Sequence, residues 1–274
     1  ADYLGAPTDG AGVTDARSAL ALVGSIRRTA RAEQLTLLAA AIAYYAFVSM
    51  VPLVVLGLAV ATTIGGDQLS ARLLAMAAGV LAPAGQEVLR AALTDRAGLG
   101  GATLVGLVVL VWGALKAFRA LDRAFSLVYG STGEGLVDAI VNAVVALAAV
   151  GVAVGVMLVA GAAVALLPGP LVGPVGALPL ALTLVVVFLP LYYLFPGVDV
   201  SVGEILPGAA LAAVGWTVLG AAFQLYATLA AGTSIYGLLG AVLLALTWFY
   251  LGALVLLLGA TVNAVRSGRA PVDR

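Results

Sequence analysis

Six apolar runs, each near or above the length needed to cross a bilayer, follow one another along this chain with short gaps between them. A helix needs about 20 apolar residues to cover the hydrocarbon core, because each residue advances it by only about 1.5 Å. By that measure the predicted spans are residues 35–64, 99–115, 142–167, 175–195, 205–231 and 236–262. The first run carries no charge, and Pro52 within it predicts a kink. The second is shorter and continues as a charged helix over residues 116–128. The third ends at the breaker Pro168-Gly169-Pro170, and the fourth contains Pro179 and Pro190 and is bounded by Pro196. Pro207 falls in the first turn of the fifth, where a missing N–H costs little, and the sixth stops before Arg266. The predicted fold is all-α: a polytopic integral membrane bundle of six transmembrane helices with short amphipathic helices beside them.

Between the first two runs, Leu69, Leu73, Met76 and Val80 recur at helical spacing opposite Ser70 and Arg72. This predicts two short amphipathic helices broken at Pro83, lying on the outer leaflet or capping the bundle, with ordinary loop packing as the plainer alternative.

The sidedness comes from charge. Ten of the thirteen basic residues fall in three clusters: Arg17, Arg27, Arg28 and Arg31; Lys116, Arg119 and Arg123; and Arg266, Arg269 and Arg274. Short cytoplasmic segments are enriched in Lys and Arg, and an even number of spans with both termini inside satisfies all three clusters together. Residues 1–34 then form a cytoplasmic tail and juxtamembrane helix, residues 35–265 the membrane domain, and residues 266–274 a second cytoplasmic tail. The first 20 residues have no basic stretch before an apolar core, so they do not read as a signal peptide.

Composition strengthens this picture. Apolar residues make up 63% of the 274 and charged ones 9%, against a charged share of roughly 25% in an ordinary soluble domain. No soluble domain of useful size fits between the runs. Cysteine and histidine are both absent, which removes disulfides, thiol nucleophiles, imidazole bases and the usual zinc ligand sets. There is no Gly-x-x-x-x-Gly-Lys-Ser/Thr loop for a nucleotide and no soluble basic surface interleaved with aromatics for nucleic acid. No cofactor, no metal site and no enzymatic activity are expected.

Candidate chemistry concentrates after the second run. Lys116, Arg119 and Arg123 share one helical face while Phe118, Leu121 and Phe125 share another. The basic stripe reads either as an anchor that snorkels to inner-leaflet phosphates or as a head-group-binding or gating element. Asp199 and Glu204 lie in a loop on the same side with no cation near them in sequence, so salt bridges to that stripe are expected. Glu204 at the start of the fifth span is also favoured by the helix dipole alone. Tyr45, Gln224 and Tyr226 are expected to face the bundle interior, Gln224 being costly unless another helix or a wet cavity satisfies it. Tyr192, Tyr193, Trp112 and Trp248 read as interfacial aromatic anchors. Ala148, Gly151 and Gly155 form a small-residue stripe that permits close contact within the bundle or in a homo-oligomer.

Four segments together carry a resemblance to a known family: AAAIAYYAFVSMVPLVVL at residues 39–56, WGALKAFRALDRAF at 112–125, LYYLFPGVDVSVGEILPGAALAAVGW at 191–216, and YGLLGAVLLALTWFYLGALVLLLGATVNAV at 236–265. In order and spacing the chain resembles the YihY/BrkB family of prokaryotic inner-membrane proteins. The resemblance implies six helices in a family once mislabelled as a ribonuclease and linked by name to serum resistance in a pathogen. The nuclease label fits these residues poorly, since the chain lacks His and Cys and its acids are scattered. Some members are associated with export of envelope lipid or lipopolysaccharide. The favoured expectation is therefore a transporter-like protein for an amphipathic anionic molecule such as a lipid, with membrane lipids as partners. A non-transporting scaffold or accessory subunit and an ion channel or pore are the alternatives. A scaffold calls for a closed, dry bundle, a transporter for a cavity reaching Gln224 or the basic stripe, and a pore for a continuous polar path.

Overall fold

The computed structural model describes residues 10–50, 52–53, 99–131, 141, 144–145, 148, 151, 155, 169–230 and 237–271. Six helices account for most of them, and no strand occurs among the described residues. They are α1 (Gly10–Ala32), α2 (Leu35–Met50), α3 (Leu99–Tyr129), α4 (Gly169–Leu194), α5 (Val202–Ala230) and α6 (Gly237–Arg266). The isolated described positions between residues 141 and 155 are helical and exposed as well. Pro83 and the amphipathic segment around it, most of the span at residues 142–167, and the far end of the first span lie outside the described residues.

Two stretches are long and apolar enough to cross a membrane, Val202–Tyr226 in α5 and Val242–Arg266 in α6. A third is reached if Ala21–Ala32 and Leu35–Met50 are counted as one broken span. That break falls at Glu33 and Gln34, and Gln34 adopts φ 50°, a left-handed conformation uncommon outside glycine, which ends α1. The membrane character of the chain is therefore carried by described helices, while the count of six spans belongs to the sequence reading.

The chain divides into two compact units. One comprises Ala1–Leu35, Asp122–Val214 and Val255–Arg274, and the other Thr36–Leu121 and Gly215–Leu254.

In the second unit, α2 meets α3 where Gly113 lies against Ser49, whose Cβ and backbone would be 3.2–3.5 Å from any Cβ placed on the glycine. Ser49 turns its hydroxyl inward to the carbonyls of Tyr45 and Ala46, so the contact is made without an unsatisfied donor. Trp216 on α5 donates its indole N–H to the Gly252 carbonyl of α6 at 3.1 Å and packs edge-on against Trp248. Gly252 is needed there because a Cβ would come within 2.8 Å of the Trp216 ring.

In the first unit, α5 and α6 cross backbone to backbone at Gly208 and Gly259. A Cβ on either glycine would collide with the carbonyl of the other. Small residues permit this approach, and the close fit then brings in Asn263, which is 1% exposed. Its Oδ1 accepts from the Gly208 N–H at 2.7 Å and its Nδ2 donates to the Ile205 carbonyl at 3.0 Å. The reason lies one residue away. The helix begins at Val202, not at residue 205, so Pro207 sits past the first turn, where its ring removes one ladder bond and crowds the carbonyl four residues back. The asparagine amide supplies hydrogen bonds to the backbone beside that disruption. Beneath it, Phe125 packs on Tyr192 and Phe195 with ring centres 5.6 and 5.8 Å apart. Tyr192 is fully buried and donates its hydroxyl to the Leu256 carbonyl at 2.8 Å. It is a core residue, whereas its neighbour Tyr193 is 54% exposed and keeps the outward position expected of both.

Candidate functional site

Two helix ends are closed by the same device. At the end of α3, Gly130 takes φ 66°, its N–H bonds back to Leu127 and the Ser131 N–H reaches the Ser126 carbonyl. At the end of α6, Gly268 takes φ 68°, its N–H bonds to Val265 and the Arg269 N–H reaches the Ala264 carbonyl. Both are glycine-terminated Schellman turns, which satisfy the last carbonyls and throw the chain sharply sideways. The turns lie together, since the Cβ position of Gly130 is 3.5 Å from the Pro271 ring and 3.8 Å from the Arg269 carbonyl.

Each turn launches one functional side chain. Ser131 donates its hydroxyl to the Pro196 carbonyl at 2.9 Å, tying α3 to the end of α4. Arg269 reaches the start of α5, where it donates to the Asp199 carbonyl and pairs with Glu204 at 3.6 Å. Glu204 is held for this by a capping box. Its carboxylate accepts from the Ser201 N–H at 3.0 Å while the Ser201 hydroxyl accepts from the Glu204 N–H at 3.4 Å. The partner of the 199–204 loop is thus the cation after α6, not the stripe on α3. A helix face fixes which residues share a side, but the Schellman turn of α6 decided which guanidinium arrives.

Under these turns lies a cavity of about 740 Å³. It is lined by the last turns of α1 (Ser25, Arg28, Thr29, Ala32), by Glu33, by the end of α3 (Arg123, Ser126, Leu127, Gly130) and by the segment after α6 (Gly268, Ala270, Pro271). Ser126 is 1% exposed, and its hydroxyl has no hydrogen-bond partner. Neither Glu33 nor Arg123 makes a side-chain ion pair among the described residues. Close by, the buried Tyr129 hydroxyl lies near the Asn263 amide but outside hydrogen-bond geometry, so it too has no partner. Burial pushes this phenol up to about 12, against smaller opposing effects of Asn263 and Arg269, while Glu204 adds to the rise. A separate groove of about 610 Å³ runs along the end of α4 and the start of α5 and is lined by Val186, Leu189, Pro190, Tyr193 and Ile205 among others.

Of the residues singled out from sequence, Arg123 lines the cavity. Lys116 and Arg119 lie earlier on α3, in the other unit, and do not. Tyr45 is half-buried in an aromatic cluster, edge-on to Trp112 at 5.8 Å and to Tyr44 at 5.3 Å. Gln224 and Tyr226 are exposed on α5, so the expectation that they face a bundle interior is corrected. At that level of α5 it is Phe223, not Gln224, that packs against Trp248. Asp199 is exposed and contributes its backbone carbonyl to Arg269. The Ala148, Gly151 and Gly155 stripe is exposed, with open space beside both glycines. Asn263, Tyr129, Ser126 and Glu33 carry no motif that marks them in the sequence; an amide near the end of an apolar run is the signal available for Asn263.

A chain whose described residues are helical, with apolar spans and a polar cavity at its helix ends, is a membrane protein. It belongs to the virulence factor BrkB family, whose family model matches residues 26–274. It is 34% identical over 85 residues to the ribonuclease-like protein YfkH of Bacillus subtilis strain 168, and that alignment covers 31% of each chain. The matched part thus spans about a third of that relative's length. No solved structure matches the chain.

Proposed function

We propose that this protein is a transporter-like membrane protein for an amphipathic molecule with an anionic group, a lipid being the class that fits best. The observation that carries this reading is the cavity, because it brings Arg28 and Arg123 to one polar space at one end of the helices. A guanidinium matches phosphate oxygens in a two-pronged geometry that no single donor offers. The apolar groove in the same unit meets the other requirement of an amphiphile, a place for hydrocarbon. A closed, dry bundle, which a pure scaffold calls for, has no such cavity.

The accompanying topology is six spans in the inner membrane of a prokaryote with both termini cytoplasmic, supported by the three basic clusters. The cavity then opens on the cytoplasmic side, where Arg28, Arg123 and Arg269 lie. The ribonuclease-like name of YfkH is not carried over. We assign no catalytic role here, because the cavity brings together one carboxylate and no nucleophile paired with a base.

The test is redistribution of a labelled anionic lipid in vesicles containing the purified protein. Replacing Lys116, Arg119 and Arg123 together should abolish it, with Arg123→Gln alone accounting for most of the loss and Lys116→Gln with Arg119→Gln for little. Unchanged redistribution in the triple variant overturns the proposal.

A further inference from the structure

We infer that the cavity recognises a zwitterion, a phosphate ester joined by a short linker to a primary ammonium, with the phosphate on Arg123 and the ammonium on Glu33. This rests on the head-group reading above and narrows it. Charges of both signs line a single space of about 740 Å³, and they come from different elements. Glu33 stands in the break after α1, held there by its own N–H bonding to the Thr29 carbonyl at 2.9 Å, and Arg123 stands on α3. They do not pair with each other, and neither side chain has an ionic partner among the described residues.

A ligand bearing only negative charge would satisfy Arg123 and be repelled by the half-buried Glu33 carboxylate. One bearing only positive charge would meet the reverse problem at Arg123. A molecule with both charges answers both, and that complementarity is the source of selectivity.

Backbone electrostatics favour the ammonium half of such a ligand and leave the phosphate to the guanidinium. α1, α3 and α6 all present their C-terminal ends to the cavity, through Ala32, Leu127 and Val265. Helix C-termini carry partial negative charge and favour a cation nearby. An ammonium at Glu33 would lie beside the end of α1, while the phosphate would take the Arg123 guanidinium on α3. The same chemistry is offered by an ethanolamine-type lipid head group and by the free phosphate ester.

The experiment uses the full chain in detergent and compares binding of dioleoyl phosphatidylethanolamine, dioleoyl phosphatidylglycerol and free O-phosphoethanolamine. Wild type should bind the ethanolamine lipid about tenfold more tightly than the glycerol lipid, the size of one charge-assisted hydrogen bond. Glu33→Gln should bring that ratio to about one while glycerol-lipid binding is kept, which also shows that the variant is folded. Arg123→Gln should weaken both lipids about tenfold, and Arg123→Lys should recover part of the loss. Competition by O-phosphoethanolamine would identify the free ester as a sufficient ligand; binding of the lipid without such competition would identify the membrane as the source. Equal binding of the two lipids, or an unchanged ratio in Glu33→Gln, overturns the zwitterion inference. If Arg123→Gln still weakens both lipids in that case, the head-group reading stands; if it weakens neither, that reading falls as well.

Discussion

Asn263 should be among the residues this protein can least afford to lose, although it touches no expected ligand. Alanine at this position removes both hydrogen bonds to α5 and leaves the Gly208 N–H buried without its acceptor. An unsatisfied buried donor costs about 1–3 kcal/mol, and the void left by the amide adds about 1 kcal/mol. The expected loss is about 2–4 kcal/mol, or an apparent melting temperature lowered by about 5–10 °C in mild detergent. Thr261, two residues earlier and equally buried, supplies the control. Its hydroxyl bonds only to the Leu257 carbonyl of its own helix, so Thr261→Val should cost less than about 1 kcal/mol. Asn263→Asp adds a sharper arm. An ionised carboxylate accepts from Gly208 but has nothing to donate to Ile205, so the variant should be as unstable as alanine near neutral pH. It should recover as acid protonates the side chain. Equal melting of the Asn263→Ala and Thr261→Val proteins would refute the argument that Asn263 repairs the helix beside Pro207.

Four further outcomes follow from the same packing. Gly259→Ala should destabilise by about 1–3 kcal/mol, because its methyl would overlap both the Gly208 carbonyl and the Tyr192 hydroxyl, and a smaller loss for Gly259→Ala than for Gly24→Ala would contradict this. Tyr129→Phe removes a buried hydroxyl that has no partner, so stability near pH 7 should be unchanged or up to about 1 kcal/mol higher. The same residue sets a pH slope: its phenol is raised from 10.0 to about 12, so the native state holds a proton that the unfolded chain releases, and stability falls as pH rises between those values. The loss begins near pH 10 and amounts to about 3 kcal/mol once pH passes about 12, so the wild-type slope should exceed that of Tyr129→Phe. Arg269→Gln should cost no more than about 1 kcal/mol in melting, since both members of its pair with Glu204 are about one-third exposed.

Much of this protein was legible in one dimension. The apolar runs determine the solvent, because a backbone in hydrocarbon must bond within its own segment, and helices over residues 99–129, 169–194, 202–230 and 237–266 follow. The basic clusters were visible as charge, and one member of the stripe, Arg123, does line the cavity. Periodicity tells which residues share a face and is silent on what that face meets. Tertiary structure decided that Arg269, not the α3 stripe, reaches Glu204, because the turn at Gly268 redirects the chain after α6. It also decided that Tyr192 is core, that Gln224 is exposed, and that Asn263 serves the backbone next to Pro207. The cavity itself is a property of three helix ends far apart in sequence, and only their packing puts Glu33, Arg123 and Ser126 around one space.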